Sequence, residues 1–342
     1  MLDLVVDELR SDLRRRGVPS PVVLSAPRRA VHLCSRWEGR AVYAVFGLRE
    51  GTPSLLLKID TKPAEQQRLR MEYEALAWHD APTMRGLMPA PVALLTVGPW
   101  LVLAETALPG VPLHVILRRR IRSGEHKTMR DHEGVFACLA TLHAGRTGRP
   151  TPFDAEELLR RLRACLPEDL PARTPFLRAV EAEAARFPDL RIPLLPGHGD
   201  LTPSNCLISG SSVGLTDWEG GLGFREPLTE IVVFLNHYAR ALPVRRHRMP
   251  GGTVAALRAF AGDGWLATVT ARTFTAQLHR LGLPPAAARL LFVSALADLA
   301  AGVAPIAHGQ RPGTRRAWSE LLALYARDAD RSLIGRVTSS PA

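Results

Sequence analysis

Apolar residues in the first stretch of the chain fall at Leu2, Val5, Val6, Leu9 and Leu13, with charges between them. That spacing predicts a helix over 2–16, stopped by Gly17 and Pro19. From residue 29 the pattern shortens into apolar runs of strand length. Three strands are expected over 29–35, 40–48 and 54–60, then a helix over 63–80 with Pro63 in its first turn. Leu69, Tyr73, Leu76 and Ala77 line one face of that helix. After the turn at Pro89-Ala-Pro91, two more strands are expected at 92–96 and 100–104. Helical spacing then dominates, over 113–121, 135–143, 172–187, 229–240, 254–261, 265–281, 284–303 and 316–333. The stretch 150–171 is flanked by prolines and predicts no element. Within the helical half, 206–209 and 213–216 read as a hairpin around Gly210–Ser212. Strands first and helices after predict an α+β chain.

Composition narrows this picture. A chain of 342 residues can bury two cores. Nearly half of it is hydrophobic, at 46%, so it is globular and not disordered. Cys34, Cys138, Cys165 and Cys206 form no C-x-x-C pair, which argues against zinc or a disulfide framework and fits a reducing cytoplasm. With Asp3, Asp7, Glu8 and Asp12 and no long apolar region at the start, no signal peptide is expected. The most apolar run, Leu290 to Ala307, is broken by Asp298 and Pro305 and reads as a buried helix, not a membrane span. The net charge is +11, almost all from arginine, since the only lysines are Lys58, Lys62 and Lys127. Such a surface favours anionic partners. A nucleic-acid binder would interleave its basic stripe with aromatics. Here aromatics are 6% and the arginines are dispersed, so nucleic acid is disfavoured. The Arg118–Arg120 cluster reads as a solvated surface.

The candidate chemistry lies in one stretch. His198-Gly199-Asp200 is followed by Asn205, the expected hairpin, and Asp217-Trp218-Glu219. A carboxylate, a carboxamide and a second carboxylate in this order suit phosphoryl transfer from a magnesium nucleotide. That reaction needs a base to orient an acceptor hydroxyl and oxygen ligands to hold magnesium on the phosphates. The hairpin would bring Asn205 and Asp217 together at its open end, where they could share one metal. Lys58 sits in a strand after three leucines, an unusual place for a lysine without a task.

The stretch resembles the Brenner motif of the aminoglycoside phosphotransferase and choline kinase group, small-molecule kinases with a bilobal protein-kinase-like fold. The resemblance implies a small antiparallel sheet with one main helix, then a larger, mostly helical part. Phe224-Arg225-Glu226-Pro227 and Glu230 resemble the group's downstream motif, with Glu230 standing where the group carries Asp. That departure touches helix capping more than chemistry. The resemblance implies that Asp200 is the catalytic base and that Asn205 and Asp217 bind Mg2+. It makes His198 a loop-supporting histidine, and His143 a buried structural one. It implies that Lys58 contacts the phosphates of ATP or GTP, held by a glutamate of the following helix. Glu72 or Glu74 could reach it, and the resemblance favours Glu72. Ala104-Glu105-Thr106 through Gly110 resembles the inter-lobe linker. Adenine would be read there by the carbonyl of Ala104 or Glu105 and the N–H of Thr106. The implied domains are a nucleotide-binding lobe over 1–103, a linker over 104–110 and a helical acceptor lobe over 111–342. The turn at Arg36–Gly39 takes the phosphate-covering position, without the glycine-rich loop of a protein kinase.

These readings make the chain a kinase of small hydroxylated molecules. A non-catalytic nucleotide-binding scaffold is the alternative, but a scaffold should have lost Lys58, Asp200 or Asp217. A basic nucleic-acid-binding protein is the other. From Val233 onward the acids are Asp263, Asp298, Glu320, Asp328 and Asp330, against 14 arginines. That balance disfavours a polycationic aminoglycoside as acceptor.

Overall fold

The computed structural model describes residues 2–18, 28–36, 40–47, 51–120, 124–242, 251–304 and 312–334. The turn residues 37–39 and the run Arg245–Arg248 lie outside them. The chain forms two compact units, one of Met1–Val111 with Leu207–Leu222, the other of Pro112–Cys206 with Gly223–Ala342. The hairpin after the H-x-D motif therefore belongs with the N-terminal unit, although the expected lobe ended at residue 103.

The first unit opens with α1 (Leu2–Arg15), β1 (Arg28–Arg36), β2 (Arg40–Gly47), β3 (Leu55–Asp60), α2 (Pro63–His79), β4 (Pro91–Val97) and β5 (Trp100–Thr106). The strands form one antiparallel sheet in the order β1-β2-β3-β5-β4. Alternation along the strands divides their side chains between its faces. Val5, Val6, Leu9 and Leu13 of α1 pack with Leu55, Leu57, Ile59, Val102 and Ala104 on one face. Leu69 of α2 packs with Leu101 and Leu103 on the other. Lys58, set between Leu57 and Ile59, points to the α2 face, and β3 is the central strand, so the lysine is 7% exposed.

The second unit is mostly helical. After β6 (Val111–Pro112) come α3 (Leu113–Arg119), α4 (Glu125–His143), β7 (Gly148–Pro152), α5 (Ala155–Cys165), α6 (Arg173–Ala184) and β8 (Arg191–Pro196). Next in the chain come the hairpin strands of the first unit, β9 (Cys206–Ser209) and β10 (Ser212–Leu215), and the second unit resumes with β11 (Phe224–Arg225). The closing helices are α7 (Leu228–Ala241), α8 (Gly251–Ala261), α9 (Trp265–Arg280), α10 (Ala288–Ala301) and α11 (Pro312–Asp328). The apolar run that ends near residue 307 is largely α10, whose side chains are mostly buried. No helix of the described residues is long and apolar enough to cross a membrane.

Three features differ from expectation. Helix α4 begins ten residues earlier than its apolar spacing predicts, because its first half buries polar Thr128 and His132. Helix α5 lies in the stretch read as featureless; Asp154 caps it by accepting from the Glu157 N–H (2.8 Å). Strand β8 carries Pro193 and Pro196, yet it is the central strand of the sheet β11-β8-β7. A register shift in the β7–β8 pairing falls at Pro193, where the missing donor would otherwise break the ladder.

Two buried histidines set a pH dependence. His132 donates to or accepts from Thr273 Oγ1 (2.9 Å) and packs among the rings of Phe136, Phe234 and Tyr238. Burial pushes its pKa down to about 3. Burial, with Arg280 beside it, does the same to His143. Both are neutral when folded, while in the unfolded chain they take up protons below about pH 6.5. Stability should therefore fall as pH drops from about 6.5 toward 3, by up to ~1.4 kcal/mol per pH unit for each histidine. Urea unfolding between pH 7 and pH 5 should show a shallower slope for His132→Gln than for the parent. Equal slopes would contradict the assignment.

Candidate active site

In the first unit the site is built on β3, α2 and β5. Register places Lys58 opposite Val42 on β2 and Leu103 on β5. Midway along α2, Glu72 is fully buried, and its Oε1 accepts from Lys58 Nζ. Glu74, two residues on, faces solvent, so the helix register selects Glu72. A second buried carboxylate, Glu105 of β5, lies 3.1 Å from the same ammonium. Burial works against the Lys58 charge, but Glu105, Glu72 and Asp217 outweigh it, and the lysine pKa is raised. Burial pushes the carboxyls of Glu72 and Glu105 up in turn, against the pull of Lys58.

Glu72 has a second task. The same Oε1 accepts from the Trp218 N–H (3.1 Å). The Trp218 indole N–H donates to Leu215 O (2.9 Å), and His79 Nε2–H donates to Gly221 O (2.8 Å). The segment after β10 is thus tied to α2 at two points, Glu72 and His79. Just before these ties, Asp217 takes a left-handed conformation (φ 69°), the only described non-glycine residue to do so. Such backbone states cost on the order of 1 kcal/mol or more and persist where the surroundings impose them. Oxygens of Glu72, Asp217 and Glu219 all lie within 4.8 Å of one another. A hard-oxygen set of this kind suits magnesium.

The second unit carries the H-x-D loop, which β8 delivers. Asp200 is 4% exposed and Asn205 5%. Asn205 Nδ2 donates to the Asp200 carboxylate (3.0 Å) and to its carbonyl (2.9 Å). The carboxamide oxygen is thereby turned the other way. His198 Nδ1 accepts from the Asp200 N–H (3.2 Å), which makes it a loop support, as the motif implies. Gly199 has φ 83°, which a side chain would strain. Its N–H donates to Glu230 Oε1 (2.6 Å). Glu230 therefore holds the loop and not the helix start. Glu226 caps α7 instead, accepting from Leu228 N–H (2.6 Å) and Thr229 N–H (3.2 Å).

The residues expected to read adenine lie in β5. Ala104 pairs with Leu57, Glu105 with Leu56 and Thr106 with Leu55. The Thr106 N–H donates to Ala90 O (2.9 Å), so the sheet occupies it. Gly110 follows where a Cβ would stand 2.8 Å from Ile208 O, which explains the glycine. Sequence reasoning missed the side chains of Glu105, Arg40 and Glu219. An acid in the apolar run Leu-Val-Leu-Ala-Glu was the available signal for Glu105. Arg40 contacts Glu219 and Asp60 only through the folded register, and nothing local announced it.

With this geometry in view, the comparisons are specific about family and fold. The sequence model of the phosphotransferase enzyme family matches residues 33–267. No curated protein matches the chain in sequence. Among solved structures, a Ralstonia eutropha JMP134 protein assigned as an aminoglycoside phosphotransferase is 14% identical, with a TM-score of 0.51, covering 94% of this chain and 98% of its own. A macrolide 2'-phosphotransferase from Brachybacterium faecium is 17% identical, with a TM-score of 0.44 and coverage of 93% and 97%. Choline kinase from Streptococcus pneumoniae is 12% identical, with a TM-score of 0.41 and coverage of 87% and 94%. The first likeness shows the fold, which is protein-kinase-like, with an antiparallel sheet in the N-terminal region and a helical C-terminal part.

The double duty of Glu72 predicts a ranking. Glu72→Ala takes from Lys58 its hydrogen-bonded carboxylate and strips the Trp218 N–H of its acceptor, a loss of about 3 kcal/mol. Glu105→Gln removes one of the carboxylates near Lys58, and the Glu105 side chain holds no backbone group, so it should cost clearly less. Urea unfolding of both variants checks this, and equal losses would contradict it.

Proposed function

Because the chain belongs to the phosphotransferase enzyme family, we propose that it moves the γ-phosphate of ATP or GTP to a hydroxyl of a small molecule. The observation that carries this reading is Glu72, whose one oxygen binds both Lys58 and the Trp218 N–H and so sets Asp217 beside the lysine. Lys58 then contacts the nucleotide phosphates. Asn205 immediately precedes β9, and Asp217 lies two residues past β10, its neighbouring strand. These two are the oxygen ligands for Mg2+, whose charge offsets that of the phosphates. Asp200, held by the Asn205 carboxamide, orients the acceptor hydroxyl and takes its proton as the new O–P bond forms and the bond to the nucleoside diphosphate breaks. Few residue types are needed, because positioning and electrostatics supply most of the rate. Adenine contacts from the carbonyls of Ala104 and Glu105 remain part of the proposal. The Thr106 N–H contributes only if the sheet yields its bond to Ala90.

The acceptor is proposed to be neutral or anionic: a sugar, a macrolide-like compound or an amino alcohol derivative. Several acids of the C-terminal helices are already engaged. Asp298 pairs with Arg161, Glu320 with Arg316 (3.0 Å) and Asp328 with Arg331 (3.8 Å). That leaves few carboxylates to grip several ammonium groups.

Two outcomes are expected. Labelled ATP and GTP, screened against pooled hydroxylated metabolites, should yield a phosphorylated product. Asp200→Asn should cut that turnover by about two decades or more while nucleotide binding survives. Full turnover in the variant would remove Asp200 from the role. Kanamycin-like aminoglycosides should be poor substrates or none. Efficient phosphorylation of several of them, with resistance in a sensitive bacterium, would show that the charge argument fails.

A further inference from the structure

Arg40 opens β2, and its place in the fold is more constrained than its sequence context suggests. The β2–β3 register pairs Ala41 with Ile59, which sets Arg40 beside Asp60. Arg40 is 9% exposed. Its Nε donates to Asp60 Oδ2 (3.2 Å), one terminal nitrogen lies 3.4 Å from Glu65 Oε2, and the other donates to Glu219 Oε1. These three acids come from the end of β3, the first turn of α2 and the segment after β10. Asp60 is itself fixed: it is fully buried, and its second oxygen accepts from the Lys62 N–H (3.1 Å) at the start of α2. Arg40 therefore has a rigid seat from which it holds Glu219.

Glu219 stands two residues beyond Asp217, and Trp218 between them is tied to Glu72. The tripeptide is gripped on its C-terminal side by Arg40 and at its centre by Glu72. Asp217 keeps a left-handed backbone under this grip. Without the guanidinium, Asp60 and Glu219 would lose the cation they share, Arg68 would remain with Glu65 alone (3.2 Å), and Glu219 would be released. Asp217 could then relax toward an ordinary backbone conformation and carry its carboxylate with it.

We propose that Arg40 is a positioning residue for the phosphotransfer site, holding Glu219 so that Asp217 presents its carboxylate to magnesium. The inference rests on the phosphotransferase reading above. Arg40 touches neither the nucleotide nor the metal in this role. It acts on the ligand Asp217 through Glu219; loss of a ligand's direct partner typically weakens metal affinity by about 10–100-fold, so the lower end of that range is expected here. A lysine reproduces the charge but not the three-armed fork, so it should restore the function only in part.

The test is the Mg2+ concentration that gives half-maximal stabilisation of the protein by ATP and by GTP, read as a melting shift. The parent should show a saturable, magnesium-dependent shift. Arg40→Gln should need about tenfold more Mg2+, Arg40→Lys an intermediate amount, and Glu219→Gln an increase like that of Arg40→Gln. The Arg40→Gln/Glu219→Gln double variant should be no worse than the poorer single variant, because both break one contact. Circular dichroism without ligand identifies any variant that fails to fold, and Arg40→Lys and Glu219→Gln then carry the test. A folded Arg40→Gln protein with the parent's magnesium requirement overturns the inference and leaves the phosphotransferase reading standing. A parent protein stabilised by neither nucleotide overturns that reading, and the inference with it.

Discussion

A single buried carboxylate organises the N-terminal unit. Glu72 is inaccessible to solvent, so its charge must be matched inside the protein. It is matched by Lys58 from the central strand and by the Trp218 N–H from the segment after β10. The helix, the sheet and the hairpin cannot shift independently while those contacts hold. Glu105 adds a second carboxylate to the same lysine, and Asp217 a third nearby charge. Three carboxyls therefore gather about one ammonium, and burial raises the pKa of two of them, Glu72 and Glu105.

The second unit solves a related problem with different parts. Its H-x-D loop is irregular backbone that is buried, so every polar group needs a partner. Gly199 bends the chain, Glu230 takes the glycine N–H, His198 takes the Asp200 N–H, and Asn205 grips Asp200 twice. The Pro203 carbonyl accepts from the His114 N–H (3.0 Å), which anchors the loop to α3. Glu230 reaches the Gly199 N–H from within α7, and Glu226 caps that helix, so two neighbouring glutamates divide the two tasks.

Much of this was legible before the structure, for physical reasons. Strand alternation and the rarity of lysine singled out Lys58. The Asp200–Asn205 spacing is local, and a short loop can close it without help from the rest of the chain. What stayed hidden depends on long-range register or on polar burial. Thr128 and His132 look like surface residues in sequence and are core residues of α4. The prolines of β8 argue against a central strand until the register shift is seen. Asp154 and the spacing of Leu158, Leu159 and Leu162 did announce α5, but the flanking prolines obscured them. Glu105 was read for its backbone, whereas its side chain shares Lys58. Arg40 gained its partners only when β2, β3 and the segment after β10 came together.

The account stands or falls on whether the acidic cluster around Lys58 is a magnesium-nucleotide site. Titration calorimetry with ATP and GTP, each with Mg2+ and with a chelator, addresses this directly. The account predicts binding of at least one nucleotide that requires Mg2+ and is lost in Asp217→Ala. Binding that is indifferent to Mg2+ and survives in Asp217→Ala, or no binding at all by the parent protein, would contradict it.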